Sequence, residues 1–133
     1  MLYKFETEYG TISISRAVIT KIITNAVRRF NGKVYISNTK GRMPSGFFTK
    51  IGYFDDTQNI DISMGSKGLD IKFFIIIKFG TSIGHVTNQL ITEIQENITT
   101  MTGEKPNSIA VVVKGTLSRE LQRRNIEVKS ERE

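Results

Sequence analysis

Residues able to do acid–base or metal chemistry are few in this chain. Its 133 residues include one histidine, His85, and no cysteine, so thiolate catalysis and disulfides are excluded. No HExxH, GxSxG or Walker pattern occurs, and His85 is most simply a surface residue in the first turn of a predicted helix. Asp55, Asp56 and Asp61 could gather a hard cation but lack calcium-loop spacing. We therefore predict a protein that is not an enzyme, with no catalytic residue, cofactor or metal.

Two glycine-containing segments have the composition of phosphate-binding loops. Gly65-Ser66-Lys67-Gly68 matches the GxxG loop of a KH domain, which joins two helices and clamps a nucleic-acid backbone. Its flanks alternate like strands, so a hairpin turn is the preferred interpretation. The segment from Gly41 to Gly46 contains Arg42, but no clear helix follows it. We interpret that segment as an irregular loop.

Basic residues form two clusters that could bind an anionic partner. The formal net charge is +6, and a basic surface attracts anionic partners such as nucleic acid or lipid headgroups. Two clusters follow apolar stretches, although cations at a helix end also complement the macrodipole, which gives an ordinary solvated helix end as the competing interpretation. The candidate patch for an anionic partner consists of the basic residues of both clusters, Arg28, Arg29, Lys33, Arg119, Arg123 and Arg124.

Hydrophobic periodicity predicts two helices, the first of which carries Arg28 and Arg29. Ser15 ends a short strand, Thr11–Ser15, and caps a helix that Asn31-Gly32 ends. Its apolar stripe has the spacing of a helix packed on a sheet and comprises Val18, Ile19, Ile22, Ile23, Ala26, Val27 and Phe30. A second helix follows Gly80, with Thr81 or Ser82 as its N-cap, and ends at Gly103. Its stripe comprises Ile83, Val86, Leu90, Ile91, Ile94, Ile98 and Met101.

Strand signals account for most of the remaining chain. With 19 Ile and 8 Val against 5 Leu, the composition favours strands. Short strands are predicted at Val34–Ile36 and Ile60–Met64, a long central strand at Leu69–Phe79, and a last strand at Ile109–Lys114. Beyond it, Ser118 to Arg124 can form a short capped helix, followed by a charged tail that frays.

These elements predict one α+β domain over residues 1–133, with a core at about 9–115. We expect two layers, a mainly antiparallel sheet of four to five strands with two helices on one face. The order is β-α-β-β-β-α-β, and a short C-terminal helix and tail occupy 116–133. The charged start of the chain does not resemble a signal peptide, and its apolar runs are shorter than the ~20 residues of a membrane span.

The second face of the central strand and an irregular loop at 38–58 are rich in apolar side chains. Phe74 and Ile76 lie on that face and, if exposed, would form an apolar patch, so we expect a loop, the tail or another protein to cover them. The loop holds too many aromatics for a disordered linker. We predict a protein-interaction surface made of these apolar residues, Phe47, Phe48, Tyr53, Phe54, Phe74 and Ile76.

The order of the motifs is similar to that of a known family. An opening Gly-x-Ile-x-Ile-Ser-x-x-Val-Ile-x-x-Ile pattern occurs at Gly10, Ile12, Ile14, Ser15, Val18, Ile19 and Ile22. The later matches are Phe79-Gly80, Ile83, Val86, Thr102-Gly103, Val111, Val113 and Gly115. Together they resemble the alkaline shock, or envelope stress response, proteins of Gram-positive bacteria.

The resemblance implies a non-catalytic cytoplasmic protein, linked to envelope stress, to membrane-anchored partners or to genes of fatty-acid metabolism. We accordingly expect an interaction or scaffold module that binds a protein partner or itself and lies at most peripherally at the inner face of the cell membrane. A small basic nucleic-acid-binding domain is the alternative, with weak, sequence-blind binding because no base-reading element is visible.

Overall fold

The computed structural model describes residues 2–37, 60–118 and 121–131, with side chains in the last range from residue 124 onward. It contains two helices, α1 (Arg16–Arg28) and α2 (Ile83–Thr102). The strands are β1 (Leu2–Thr7), β2 (Gly10–Ser15), β3 (Val34–Ser37), β4 (Ile60–Gly65), β5 (Gly68–Lys78), β6 (Ser108–Leu117) and β7 (Leu121–Glu131). The predicted α+β fold class, with a mostly antiparallel sheet, is confirmed.

Both helices begin where the sequence places their N-caps, and α2 ends at the predicted glycine, but α1 ends at Arg28 with Arg29 as its C-cap, short of the predicted stop at Asn31-Gly32. The Ser15 hydroxyl accepts a hydrogen bond from the Val18 N–H, and the Ser82 hydroxyl accepts one from the His85 N–H. These bonds satisfy amides that lack a partner in the first turn. Helix α2 ends at Gly103, whose φ of 79° is left-handed and whose N–H donates to the Thr99 carbonyl at 2.8 Å.

Strand β5 is the centre of a five-stranded sheet. It pairs antiparallel with β3 through its last residues and with β4 through its first ones, so these two short strands share one edge of it. On its other edge it pairs parallel with β6, which pairs antiparallel with β7. Helix α2 is the crossover between β5 and β6 that a parallel pair needs. The predicted turn at Gly65-Ser66-Lys67-Gly68 is a hairpin between β4 and β5.

The core lies between one face of this sheet and the helices. Leu69, Ile71, Phe73, Ile75 and Ile77 alternate along β5, and each is at most 1% exposed. They form one cluster with the buried stripes of α1 and α2. The alternation therefore predicted the core face of the central strand, and the 3.6-residue period predicted the faces that cover it.

Two residues assigned to the helix stripes, and the last residue of the predicted central strand, lie outside the core. Val18 is 38% exposed, Met101 46% and Phe79 67%. In the last turn of α2 the inward position belongs to Thr102, whose hydroxyl donates to the Ile98 carbonyl at 2.8 Å. Phe79 follows the last residue of β5, where the chain turns away from the sheet.

The sequence-based prediction missed the first strand, β1. β1 and β2 form a separate two-stranded sheet rather than part of the main one. Tyr3 and Phe5 are 4% and 3% exposed and belong to the core, whereas Lys4 and Glu6 face solvent. This alternation was a readable strand signal.

The predicted C-terminal helix and frayed tail are wrong. The segment contains strand β7, which pairs with β6 from Leu117↔Leu121 to Ser108↔Glu131. β6 is correspondingly longer than predicted and runs to Leu117. Pairing with β7 satisfies backbone groups along the edge of β6, and this non-local gain outweighs the weak helix preference of the segment. No helix in the described ranges combines the length and apolar character needed to cross a membrane.

Candidate interaction site

The first basic cluster divides at the end of α1. Arg28 and Lys33 are exposed on either side of a tight turn in which Asn31 and Gly32 have φ of 52° and 84°. Arg29 points instead toward α2, where its Nε lies 3.3 Å from Glu93 Oε2. Its side chain stays 73% exposed, so this ion pair contributes little to stability.

Only part of the second basic cluster falls on described residues. Arg119 and the side chain of Arg123 lie outside them. Arg124 is exposed on β7, and the backbone of Arg123 pairs with Gly115 of β6. Whether the two clusters form one patch therefore stays a prediction.

The structure places a different cation beside Lys33. The Lys78 N–H donates to the Lys33 carbonyl at 2.7 Å, so the two exposed lysines are neighbours where β3 begins and β5 ends. The next residue, Phe79, is 67% exposed, and its N–H donates to the Leu117 carbonyl at 2.7 Å. We call Lys33, Lys78 and Phe79 the sheet-end patch.

The sheet-end patch brings two exposed lysines and one exposed aromatic residue to the same end of the sheet. Within the described residues, neither Lys33 nor Lys78 forms an ion pair. Two uncompensated ammonium groups attract an anionic group, and an exposed aromatic ring is a common anchor of protein interfaces. The sequence showed Lys33 but not its neighbour, because the β3–β5 register is a long-range property. The signal for Phe79 was its place between a strand end and Gly80, whose φ is 91°.

Two residues of the predicted protein-interaction surface, Phe74 and Ile76, are buried. Phe74 is 7% exposed and Ile76 0%, so neither side chain forms an exposed apolar patch. The Lys114 ammonium lies 5.8 Å from the centre of the Phe74 ring, a distance typical of a cation–π contact. The other four residues of that surface, Phe47, Phe48, Tyr53 and Phe54, lie outside the described residues.

The residues considered for acid–base or metal chemistry do not come together. His85 is exposed at the start of α2, on the rim of a groove of ≈ 700 Å³ between the end of α1 and α2. Asp61 is exposed on β4, and Asp55 and Asp56 lie outside the described residues. Within the described ranges, no three His, Cys, Asp or Glu side chains gather closely enough to hold a metal ion.

One carboxylate has a specific structural role on the second face of the sheet. Asp70 of β5 accepts hydrogen bonds from the Ser108 hydroxyl at 2.6 Å and from the Asn107 amide at 2.8 Å. The Ser108 bond is the main cause that holds the pKa of Asp70 below its usual value, and Asn107 and Lys129 act the same way against a raising effect of burial. These bonds fix the start of β6 beside β5.

Comparison with known proteins decides the family. The profile of the alkaline shock protein 23 family, described as having a cell envelope-related function, matches residues 4–118. The chain belongs to this family. The family is not a known enzyme family. The match confirms the resemblance proposed from the motif order, and it includes the whole sheet-end patch but not β7.

Two curated relatives of this alkaline shock family protein come from Bacillus subtilis (strain 168). The uncharacterized protein YloU is 23% identical over 115 residues, which cover 86% of this chain and 95% of the relative. The uncharacterized protein YqhY is 22% identical over 110 residues, which cover 83% of this chain and 79% of the relative. No solved structure gives a significant match.

Proposed function

We propose that this protein is a non-catalytic interaction module with a cell envelope-related role, and that its sheet-end patch binds a protein partner. The observation that carries the proposal is Phe79, which is 67% exposed at the end of the sheet where Lys33 and Lys78 also lie. An exposed aromatic ring is costly to leave uncovered and is suited to desolvation by a partner. Lys33 and Lys78 add positive charge at the same end of the sheet. Membership of a cell envelope-related family supports the setting.

The chemistry of the patch specifies the partner. Two ammonium groups favour an acidic surface, and the Phe79 ring favours an apolar pocket inside it. The protein would act in the cytoplasm and reach the inner face of the cell membrane through this partner. The scaffold role assigned by resemblance then has a defined contact surface.

The test compares two exposed aromatic residues. Wild type, Phe79→Ser and Tyr9→Ser are used to capture partners from lysate with nuclease treatment, at low and at physiological salt. Tyr9 is 93% exposed at the β1–β2 turn and is the matched control. We expect a partner retained by wild type and Tyr9→Ser but lost with Phe79→Ser, at unchanged melting temperature. Equal retention by both variants would show that the patch is not the contact surface.

Nucleic acid is the second candidate, because Lys33 and Lys78 are adjacent in a chain of net charge +6. Each duplex phosphate neutralised contributes a slope of roughly −0.9 to the dependence of log affinity on log salt. We expect a shallow slope, and binding to a duplex that disappears near physiological salt. Submicromolar binding at that salt, lost when Lys33 and Lys78 are both changed to Glu, would favour this candidate instead.

A further inference from the structure

Strand β7 forms the outer edge of the main sheet. It spans Leu121–Glu131, and within the described residues β6 is its single ladder partner. An edge strand of this length presents a row of backbone N–H and C=O groups that a further strand can pair with. Ile126, on this strand, is 38% exposed, so the edge also offers an apolar side chain.

The charges of β7 alternate in sign on one face of the sheet. Glu127 and Lys129 pair with Val112 and Ala110 of β6, two residues apart on the same strand. Glu127 lies 3.4 Å from Lys72, and Lys129 lies 3.2 Å from Glu131. The side chains of Glu127 and Lys129 remain 44% and 43% exposed. Ion pairs this open are weak and are free to exchange with a partner's charges.

This pattern is self-complementary. Two copies of β7 can pair antiparallel about a two-fold axis perpendicular to the sheet. Directly opposite side chains then lie on the same face of the sheet. The axis must therefore lie midway between one residue and its own copy in the second chain, and we name the axis by that residue. An axis at Glu127 places Glu against Glu, and an axis at Lys129 places Lys against Lys. An axis at Val128 places each Glu127 opposite the partner's Lys129, with Val128 opposite itself. An axis at Ser130 would also set Lys129 opposite the partner's Glu131, but within β7 it pairs only the segment Lys129–Glu131, so the axis at Val128 gives the longer ladder.

We infer that β7 is a homodimerisation edge, on which a second copy of this chain adds antiparallel about Val128 to continue the sheet. The dimer gains two Glu–Lys cross-strand pairs on one face and a Val–Val contact on the other. This inference deepens the proposed role as an interaction module and rests on it. Its interface is separate from the sheet-end patch, which lies just before β3 and at the end of β5.

The experiment uses complementary charge reversals in the full chain. Sedimentation velocity at low ionic strength, from about 10 μM to about 1 mM, is measured for wild type, Glu127→Lys, Lys129→Glu and an equimolar mixture of the two variants. Each variant alone opposes like charges, whereas the mixed dimer restores both Glu–Lys pairs. Lys4→Glu and Glu6→Lys reverse two exposed charges at the same spacing on β1 and serve as controls.

We expect wild type and both controls to dimerise, each β7 variant to bind itself about tenfold or more weakly, and the mixture to recover wild-type affinity. A monomeric wild type, undiminished dimers of the single variants, or a mixture no better than its components would each overturn the inference. A monomeric wild type would not contradict the proposed function, because the Phe79→Ser capture experiment tests that function independently.

Discussion

Replacing Asp70 by Asn tests whether a single carboxylate fixes the parallel β5–β6 pair. The substitution keeps the size of the side chain and removes its charge. Asp70 accepts from the Ser108 hydroxyl at 2.6 Å and from the Asn107 amide at 2.8 Å. Hydrogen bonds to a charged group contribute about 1.5–3 kcal/mol and neutral ones about 0.5–1.5 kcal/mol. Since Asp70 is partly exposed, we expect a net loss of about 1 kcal/mol in the free energy of unfolding at pH 7.

The pH dependence of this loss has a defined sign. The folded-state pKa of Asp70 is lowered from its usual value of 3.8, chiefly by the Ser108 hydrogen bond. A lowered carboxyl pKa means that the folded state binds protons less readily than the unfolded state. The extra stability is therefore fully present above pH 3.8 and is lost as the pH falls through the folded-state pKa. The difference between wild type and Asp70→Asn should shrink there.

Urea unfolding of both proteins at pH 7, 5 and 3 measures this difference directly. Comparing the two proteins at each pH cancels the effect of every other titrating group. Asp61→Asn is the matched control, because Asp61 is exposed on the neighbouring strand β4, and it should change stability little. A loss for Asp70→Asn that is the same at pH 7 and pH 3, or absent at pH 7, would refute the reasoning.

Two further predictions concern the borders of the core. Ile94→Ala should cost about 3 kcal/mol, because Ile94 is 0% exposed, whereas Met101→Ala on the same predicted stripe should cost under about 1 kcal/mol, because Met101 is 46% exposed. Thermal unfolding separates the two, and equal shifts would contradict the observed burial. Gly103→Ala should cost about 1 kcal/mol from its φ of 79° alone, since no atom lies within 4 Å of an added Cβ. An unchanged melting temperature would argue against this left-handed cap.

The sequence allowed prediction of elements whose signals are local. The stripe from Ile19 to Val27 and the alternation from Leu69 to Ile77 each carry their own period, so helix, strand and core face follow from short windows. The caps at Ser15 and Ser82 are equally local, because a hydroxyl and an amide three residues later suffice. The α+β class follows from the order of these elements.

Features that depend on pairing between distant segments were not predictable. The C-terminal segment resembled a helix over its first residues, and nothing local shows that β6 leaves an edge for it to pair with. The exposure of Phe79 depends on where β5 ends relative to β3, and the neighbour of Lys33 depends on the same register. The burial of Phe74 and Ile76 is likewise a tertiary outcome.

Strand β7 changes the chemistry of the sheet edge. Six successive residues of β6, from Ser108 to Val113, are buried, so β6 as an outer strand would expose apolar side chains and unpaired backbone groups together. β7 pairs with that edge and replaces it with one that carries Arg124, Glu127 and Lys129. β7 also lies beyond residue 118, where the family match ends. The proposed association through β7 must therefore be argued from this chain's own residues, and the spacing of Glu127 and Lys129 about Val128 favours the register with the longer ladder.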